Sequence, residues 1–95
     1  MAAYVFAQIE VTDPATYDDY RKQVLPTVTK FGGRFIVRGG KVDAKEGDWK
    51  PERMIALEFP SMEQAQKWYH SAEYAPLIKL RQKASKGKLI IVEGA

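Results

Sequence analysis

Two arginines are the residues of this sequence with the clearest chemical potential. Arg34 and Arg38 fall on the same face of a segment that alternates between two kinds of side chain, so both guanidinium groups could converge on one carboxylate in an enclosed space. Glu58 is predicted to lie opposite Arg34 on a neighbouring strand. The alternative is structural, with Arg34 paired to Glu58 across a hairpin and Arg38 paired across a dimer interface. The following Gly39-Gly40 fits a close backbone approach or a simple turn.

Glu58 and His70 are weak candidates for a general base. His70 is the only histidine in a chain without cysteine, so we predict no metal site. A base, an axial haem ligand and an ordinary histidine at a helix C-terminus remain open for it. Trp49 lies in a polar segment and is interpreted either as a lid over a cavity or as a dimer contact. The ligand-binding candidates are Arg38, Arg34, Gln8, Tyr4 and Trp49.

The composition restricts the class of protein. A chain of 95 residues with 45% hydrophobic and 28% charged residues is typical of one globular domain, here residues 1–95. The absence of cysteine excludes disulfides, thiolate catalysis and thiolate-bound zinc or iron–sulfur clusters. A net charge of +3 falls short of a polybasic tract, and no apolar run approaches the length of a membrane span. We expect a soluble, cytoplasmic protein that binds no cofactor, nucleic acid or membrane.

The elements that position these residues follow from the hydrophobic periodicity. Alternation predicts strands over residues 4–11, 34–38, 53–59 and 88–93. Thr12-Asp13-Pro14 predicts the start of one helix, whose apolar positions recur every three or four residues. A second helix begins after Ser61, breaks near His70, restarts near Pro76 and closes at Gly87. The order β-α-β-β-α-β predicts an α+β, ferredoxin-like fold: a four-stranded antiparallel sheet with the helices on one face.

The sheet face opposite the helices is too apolar to be left in water. In a regular hairpin of the second and third strands, the odd positions belong under the helices, and they are Phe35, Val37, Ile55, Leu57 and Phe59. The even positions mix aromatic and aliphatic residues with a smaller polar set; they are Tyr4, Phe6, Ile36, Met54, Ala56, Gln8, Arg34, Arg38 and Glu58. An antiparallel face exposed to solvent is usually polar. We therefore predict a symmetric homodimer joined through this face, because covering it would contribute to stability.

Four segments carry a family resemblance that spans nearly the whole chain. They are Lys30-Phe31-Gly32-Gly33-Arg34-Phe35-Ile36-Val37-Arg38-Gly39-Gly40, Glu58-Phe59-Pro60-Ser61, Trp68-Tyr69-His70-Ser71-Ala72-Glu73-Tyr74 and Val92-Glu93-Gly94. The sequence resembles the small bacterial proteins of domain-of-unknown-function family 1330. The resemblance implies a ferredoxin-like subunit of the dimeric α/β-barrel superfamily, in which two sheets enclose a space that holds a substrate or haem in some relatives. It implies no particular activity.

Two functional hypotheses remain open. The leading one is a homodimeric α/β barrel whose space between the sheets binds a small anionic or aromatic molecule, through Arg38, Arg34, Glu58, Gln8 and Tyr4. If the protein is an enzyme, cofactor-free proton transfer, isomerisation or oxygenation of an activated organic substrate fits these residues. The rival is a structural or interaction dimer without catalysis, whose interface is filled by side chains. A wet, arginine-lined cavity favours the first, and a dry, close-packed seam favours the second.

Overall fold

The computed structural model, which describes all 95 residues, contains four strands and three helices. The elements are β1 (Ala3–Val11), α1 (Pro14–Lys30), β2 (Arg34–Arg38), β3 (Arg53–Phe59), α2 (Met62–Tyr69), α3 (Ala75–Ala84) and β4 (Ser85–Glu93). The strands form one antiparallel sheet in the order β2-β3-β1-β4, and the helices pack on one of its faces. The predicted ferredoxin-like fold is confirmed, with the second helix divided into α2 and α3.

Side-chain caps fix the starts of the first two helices. The Asp13 carboxylate accepts hydrogen bonds from the backbone N–H of Thr16 at 3.3 Å and from its hydroxyl at 2.7 Å, and these bonds lower the pKa of Asp13. The Ser61 hydroxyl accepts the N–H of Gln64 at 3.2 Å. Both interactions satisfy donors that a helix leaves unpaired in its first turn. No helix is both long enough and apolar enough to cross a bilayer.

Aromatic side chains form the centre of the core between the helices and the sheet. The rings of Phe59 and Trp68 lie 5.4 Å apart between centroids, and those of Trp68 and Tyr74 lie 4.1 Å apart. The Tyr20 and Tyr74 hydroxyls share a buried hydrogen bond of 2.8 Å. Burial raises the pKa of both tyrosines, so both stay protonated at neutral pH.

The last strand begins three residues earlier than the periodicity predicts. Ser85 is paired with Val11 directly after α3, and Gly87 is paired with Ile9 within the β1–β4 ladder. The expectation that Gly87 closes the helix is therefore wrong. A Cβ at Gly87 would lie 2.5 Å from the Gln8 carbonyl oxygen, so glycine is required here by a close approach of two backbones.

A β-bulge in the edge strand β2 overturns the predicted register of the hairpin. Arg34 pairs with Glu58 as expected, but the pairing shifts after Phe35, so that Val37 rather than Ile36 lies opposite Ala56. Arg38 then lies opposite Ile55 instead of Met54. Because one extra residue reverses the alternation, Val37 leaves the helix side and Arg38 enters it. The predicted shared face for Arg34 and Arg38 is wrong.

Candidate functional site

The sheet surface away from the helices, which we call the open face, carries three rows of side chains. Paired positions across β3, β1 and β4 define the rows; they are Glu58–Tyr4–Val92, Ala56–Phe6–Ile90 and Met54–Gln8–Lys88. Several large apolar side chains are exposed on it, namely Phe6, Ile36, Val37, Ile90 and Val92. Such a continuous apolar surface is unusual for a chain that stays monomeric.

A polar cluster occupies the first row. The Arg34 Nε donates to Glu58 Oε1 at 2.8 Å, and the Tyr4 hydroxyl donates to Glu58 Oε2 at 3.2 Å. These contacts bring together three of the predicted site residues. The Arg34 hydrogen bond, assisted by its charge and by Tyr4, holds the pKa of Glu58 below its ordinary value. A carboxylate with a lowered pKa is a weaker base, so the cluster favours the structural interpretation of the Arg34–Glu58 pair.

A recess occupies the third row, next to the long β2–β3 connection. The Trp49 indole N–H donates to the Gln8 side-chain oxygen at 2.7 Å, which holds an otherwise exposed ring beside the sheet. The recess has a volume of about 310 Å³ and is lined by Phe6, Gln8, Trp49, Met54, Lys88 and Ile90. Its walls are mostly apolar, with one cation and one amide. Gln8 and Trp49, both predicted ligand-binding residues, therefore share one pocket.

The other two predicted residues lie elsewhere. Arg38 packs its guanidinium 4.3 Å from the centre of the Phe35 ring and approaches the Arg21 carbonyl at 3.5 Å, on the helix side of the sheet. His70 is the C-cap residue of α2, exposed, with its ring edge-on to Tyr69 at 5.2 Å. It is separated by the sheet from Glu58, so the two candidate bases do not form a common site.

No group of three or more His, Cys, Asp or Glu side chains is arranged to hold a metal ion. The polar groups of the open face are instead a carboxylate already bound by Arg34, an amide and a lysine. This set can orient an organic anion by hydrogen bonding and charge, with aromatic rings as the apolar contact.

One family model matches almost the entire chain. Residues 2–95 match the family described as Domain of unknown function (DUF1330). The chain belongs to this family. The resemblance seen in the four sequence segments is thereby confirmed. Among curated proteins, no sequence match is found.

Solved structures similar to this DUF1330 chain share its fold at low sequence identity. A protein of unknown function from Rhodopseudomonas palustris superposes with a TM-score of 0.75 at 16% identity, over 99% of this chain and 82% of the other. SnoaB, a cofactor-independent oxygenase from Streptomyces nogalater, gives 0.62 at 10% identity, over 99% and 92%. Foldit4, a de novo designed protein, gives 0.63 at 14%, over all of both chains. A designed protein matches as well as an oxygenase, so the similarity shows the fold alone.

Sequence reasoning missed two features of this DUF1330 chain. Lys88 enters the recess only because β1 and β4 pair in the observed register, which no local pattern contains. Arg81 lies on the buried stripe of α3 between Leu77 and Ala84. Its spacing of four and three residues from these neighbours was a readable signal of burial.

Proposed function

We propose that this DUF1330 protein is a homodimer that binds a small, planar, anionic organic molecule against the open face. The observation that carries the proposal is the recess beside Trp49, whose volume of about 310 Å³ falls at the lower end of the roughly 300–1,000 Å³ of ligand pockets. In a face-to-face dimer the partner's sheet closes the side of the recess that is open in a single chain.

The dimer is supported by the apolar surface beside the recess. Ile90 is 58% exposed and Val37 is 44% exposed, and both lie in the middle row of the open face. A twofold axis through this face would cover each residue and its symmetry copy at once. The Arg34–Glu58 pair, which is already neutralised internally, can enter such an interface at lower cost than an isolated charge.

The chemical class of the ligand follows from the walls of the recess. Phe6 and the Trp49 indole offer flat apolar surface, which suits an aromatic or conjugated molecule. Lys88 is the cation in the lining, and it forms no ion pair within the chain. It is therefore available to an anionic group on the ligand. Lys88 takes the role that the sequence had suggested for Arg38.

Native mass spectrometry of freshly purified protein tests assembly and ligand together. We expect a dimer carrying extra non-covalent mass, which identifies the compound class. A panel of aromatic carboxylates, followed by tryptophan fluorescence, then measures affinity. Because Trp49 lies in the recess and Trp68 is buried in the core, binding should quench the wild type and leave Trp49→Phe unquenched. A clean dimer that binds no member of the panel favours the filled-interface alternative.

A matched pair of lysine variants tests the role of charge. Lys88→Gln removes the cation of the recess, whereas Lys79→Gln removes an exposed lysine from α3 on the other side of the sheet. A hydrogen bond to a charged group contributes about 1.5–3 kcal/mol, so Lys88→Gln should weaken carboxylate binding about 10- to 100-fold. Equal affinities of the two variants would contradict the assignment of Lys88.

Cofactor-independent oxygenation of the bound molecule is the second candidate, by analogy with SnoaB, which has the same fold. In such a reaction the substrate itself supplies all four electrons that reduce O2, as when a CH2 group becomes a carbonyl; one oxygen atom enters the substrate and the other leaves as water with the two hydrogens that the substrate loses. The lowered pKa of Glu58 argues that the substrate must be acidic enough to ionise without a strong base. Oxygen uptake on mixing with the identified ligand tests this step, and binding without uptake contradicts it.

A further inference from the structure

A small cavity lies between the helices and the sheet, on the side opposite the open face. Its volume of about 30 Å³ accommodates roughly two water molecules, and no organic substrate. Four of its lining residues are arginines, namely Arg21, Arg38, Arg53 and Arg81, and none of its lining residues is acidic. The rest of the wall is mainly aliphatic and aromatic. The cavity therefore combines four cationic side chains in its lining with little space.

Arg81 is the most deeply buried of these cations. The residue is 8% exposed on α3, and its guanidinium forms no ion pair and donates no hydrogen bond within the chain. Its charge is close enough to the Tyr20 and Tyr74 hydroxyls to oppose the rise in pKa that burial causes. Those hydroxyls share one hydrogen bond with each other. The charge of Arg81 is therefore balanced by no acidic side chain within the chain.

Arg53 supplies a second, independent observation. Its Nε is fully buried and has no hydrogen-bond partner, although such atoms are rare in native structures. The guanidinium carbon lies 5.7 Å from the centre of the Tyr17 ring, and the side chain packs on Gly39, where a Cβ would lie 2.5 Å from that carbon. Packing thus holds Arg53 at the cavity although its N–H bond remains unpaired.

The two other arginines are accounted for by local contacts. Arg21 is paired with Asp18 at 3.7 Å on the surface of α1, and Arg38 is stacked on Phe35. Arg53 and Arg81 are therefore the two arginines of the lining whose guanidinium groups form neither an ion pair nor a hydrogen bond within the chain. We propose that these two residues hold a small monovalent anion of about the size of a halide in this cavity. The anion neutralises charge beneath α3 and stabilises the packing of that helix on the sheet, independently of any ligand on the open face.

Thermal unfolding of the wild-type protein tests the proposal without any substitution. In the buffer, chloride is substituted stepwise for gluconate at constant ionic strength. Gluconate is the reference anion because it is too large for the cavity. We expect the Tm to rise with the logarithm of the chloride concentration above the Kd, by roughly 5–10 °C at tenfold excess over the Kd. A Tm that is independent of chloride, or that changes only linearly with it, overturns the proposal. Anomalous diffraction from a crystal grown in bromide should show one peak in the cavity. A cavity that contains only water under these conditions would overturn the proposal.

Matched variants assign the effect to the cavity. Arg81→Met and Arg53→Met keep the unbranched stem of the side chain and remove the guanidinium group, and each should abolish most of the chloride-dependent shift. Lys79→Met changes an exposed lysine two residues before Arg81 on the same helix, and it should keep the full shift. If Lys79→Met loses as much of the chloride-dependent Tm shift as the arginine variants do, the shift arises from general surface charge and not from the cavity. If either arginine variant fails to fold, the bromide peak still decides.

Discussion

Ile90 is the residue whose substitution tests the proposed dimer most directly. It lies on β4 in the middle row of the open face, opposite Phe6, and is 58% exposed in the single chain. Ile90→Gln keeps a side chain of similar length and removes its apolar character. The matched control is Leu25→Gln, because Leu25 is 43% exposed on α1, away from the open face. Both variants lose one exposed aliphatic side chain.

The size of the effect follows from the exposed fraction. Burying a whole isoleucine side chain contributes about 1.5–3 kcal/mol. Covering the 58% of Ile90 that is exposed is therefore worth about 0.9–1.7 kcal/mol per subunit, or about 1.7–3.5 kcal/mol for the two symmetry-related copies. Since each 1.4 kcal/mol changes affinity about tenfold, Ile90→Gln should weaken the dimer roughly 20- to 300-fold.

Sedimentation velocity across a dilution series measures the dimer Kd of the wild type and both variants. We expect the dimer Kd of Leu25→Gln to equal that of the wild type and the dimer Kd of Ile90→Gln to be higher. Circular dichroism should show the same fold in all three, because neither side chain is part of the core. A wild type that is monomeric throughout the series, or two variants with the same Kd, would refute the reasoning from the open face.

Three further expectations concern stability. Ser61→Ala removes the cap of α2 and should cost about 1 kcal/mol, lowering the Tm by about 4–8 °C; an unchanged melting curve would show that the cap contributes nothing. Gly87→Ala places a methyl group 2.5 Å from a backbone oxygen of β1. It should destabilise the protein by about 1–3 kcal/mol, measured by denaturant unfolding. Gly40→Ala is the control, because a Cβ at Gly40 meets no atom within 4 Å. Glu58 has a pKa below 4.5 in the folded protein, so its contribution to stability is complete well above pH 4.5 and is lost as the pH falls through the lower folded value. Glu58→Gln should accordingly show a smaller loss of stability on acidification than the wild type, and parallel curves for the two proteins would exclude this contribution.

The strand and helix order could be predicted from the sequence because each element carries its own period and its own cap. The register of β2 could not. Ile36 and Val37 are both β-branched and apolar, so the alternation can be continued through either of them, and the extra residue of the bulge leaves no trace in the pattern. This one residue places Arg38 on the opposite face of the sheet from the one predicted. The predicted anion site depended on Arg38, so it is lost with the change of face.

The contact between Trp49 and Gln8 was also beyond local reasoning. The two residues are 41 positions apart, and the connection that carries Trp49 has no periodicity to orient it. From the sequence alone, a lid and a dimer contact are equal alternatives for this tryptophan. The hydrogen bond from Trp49 to Gln8 favours a role for the indole ring as a wall of the recess. This position also lies at the edge of the proposed dimer interface.

The match to a designed protein indicates where the function of this chain should be sought. Foldit4 adopts the same fold over its full length, so the fold by itself implies no particular activity. This chain carries two departures that the fold does not require: an apolar open face with a recess that contains Lys88, and two arginines at the inner cavity, Arg53 and Arg81, that have no acidic partner. Neither departure improves folding, since one exposes apolar surface and the other leaves the buried Nε of Arg53 without a hydrogen bond. Natural proteins tolerate such costs mainly at functional sites, and the two proposed sites lie at these two departures.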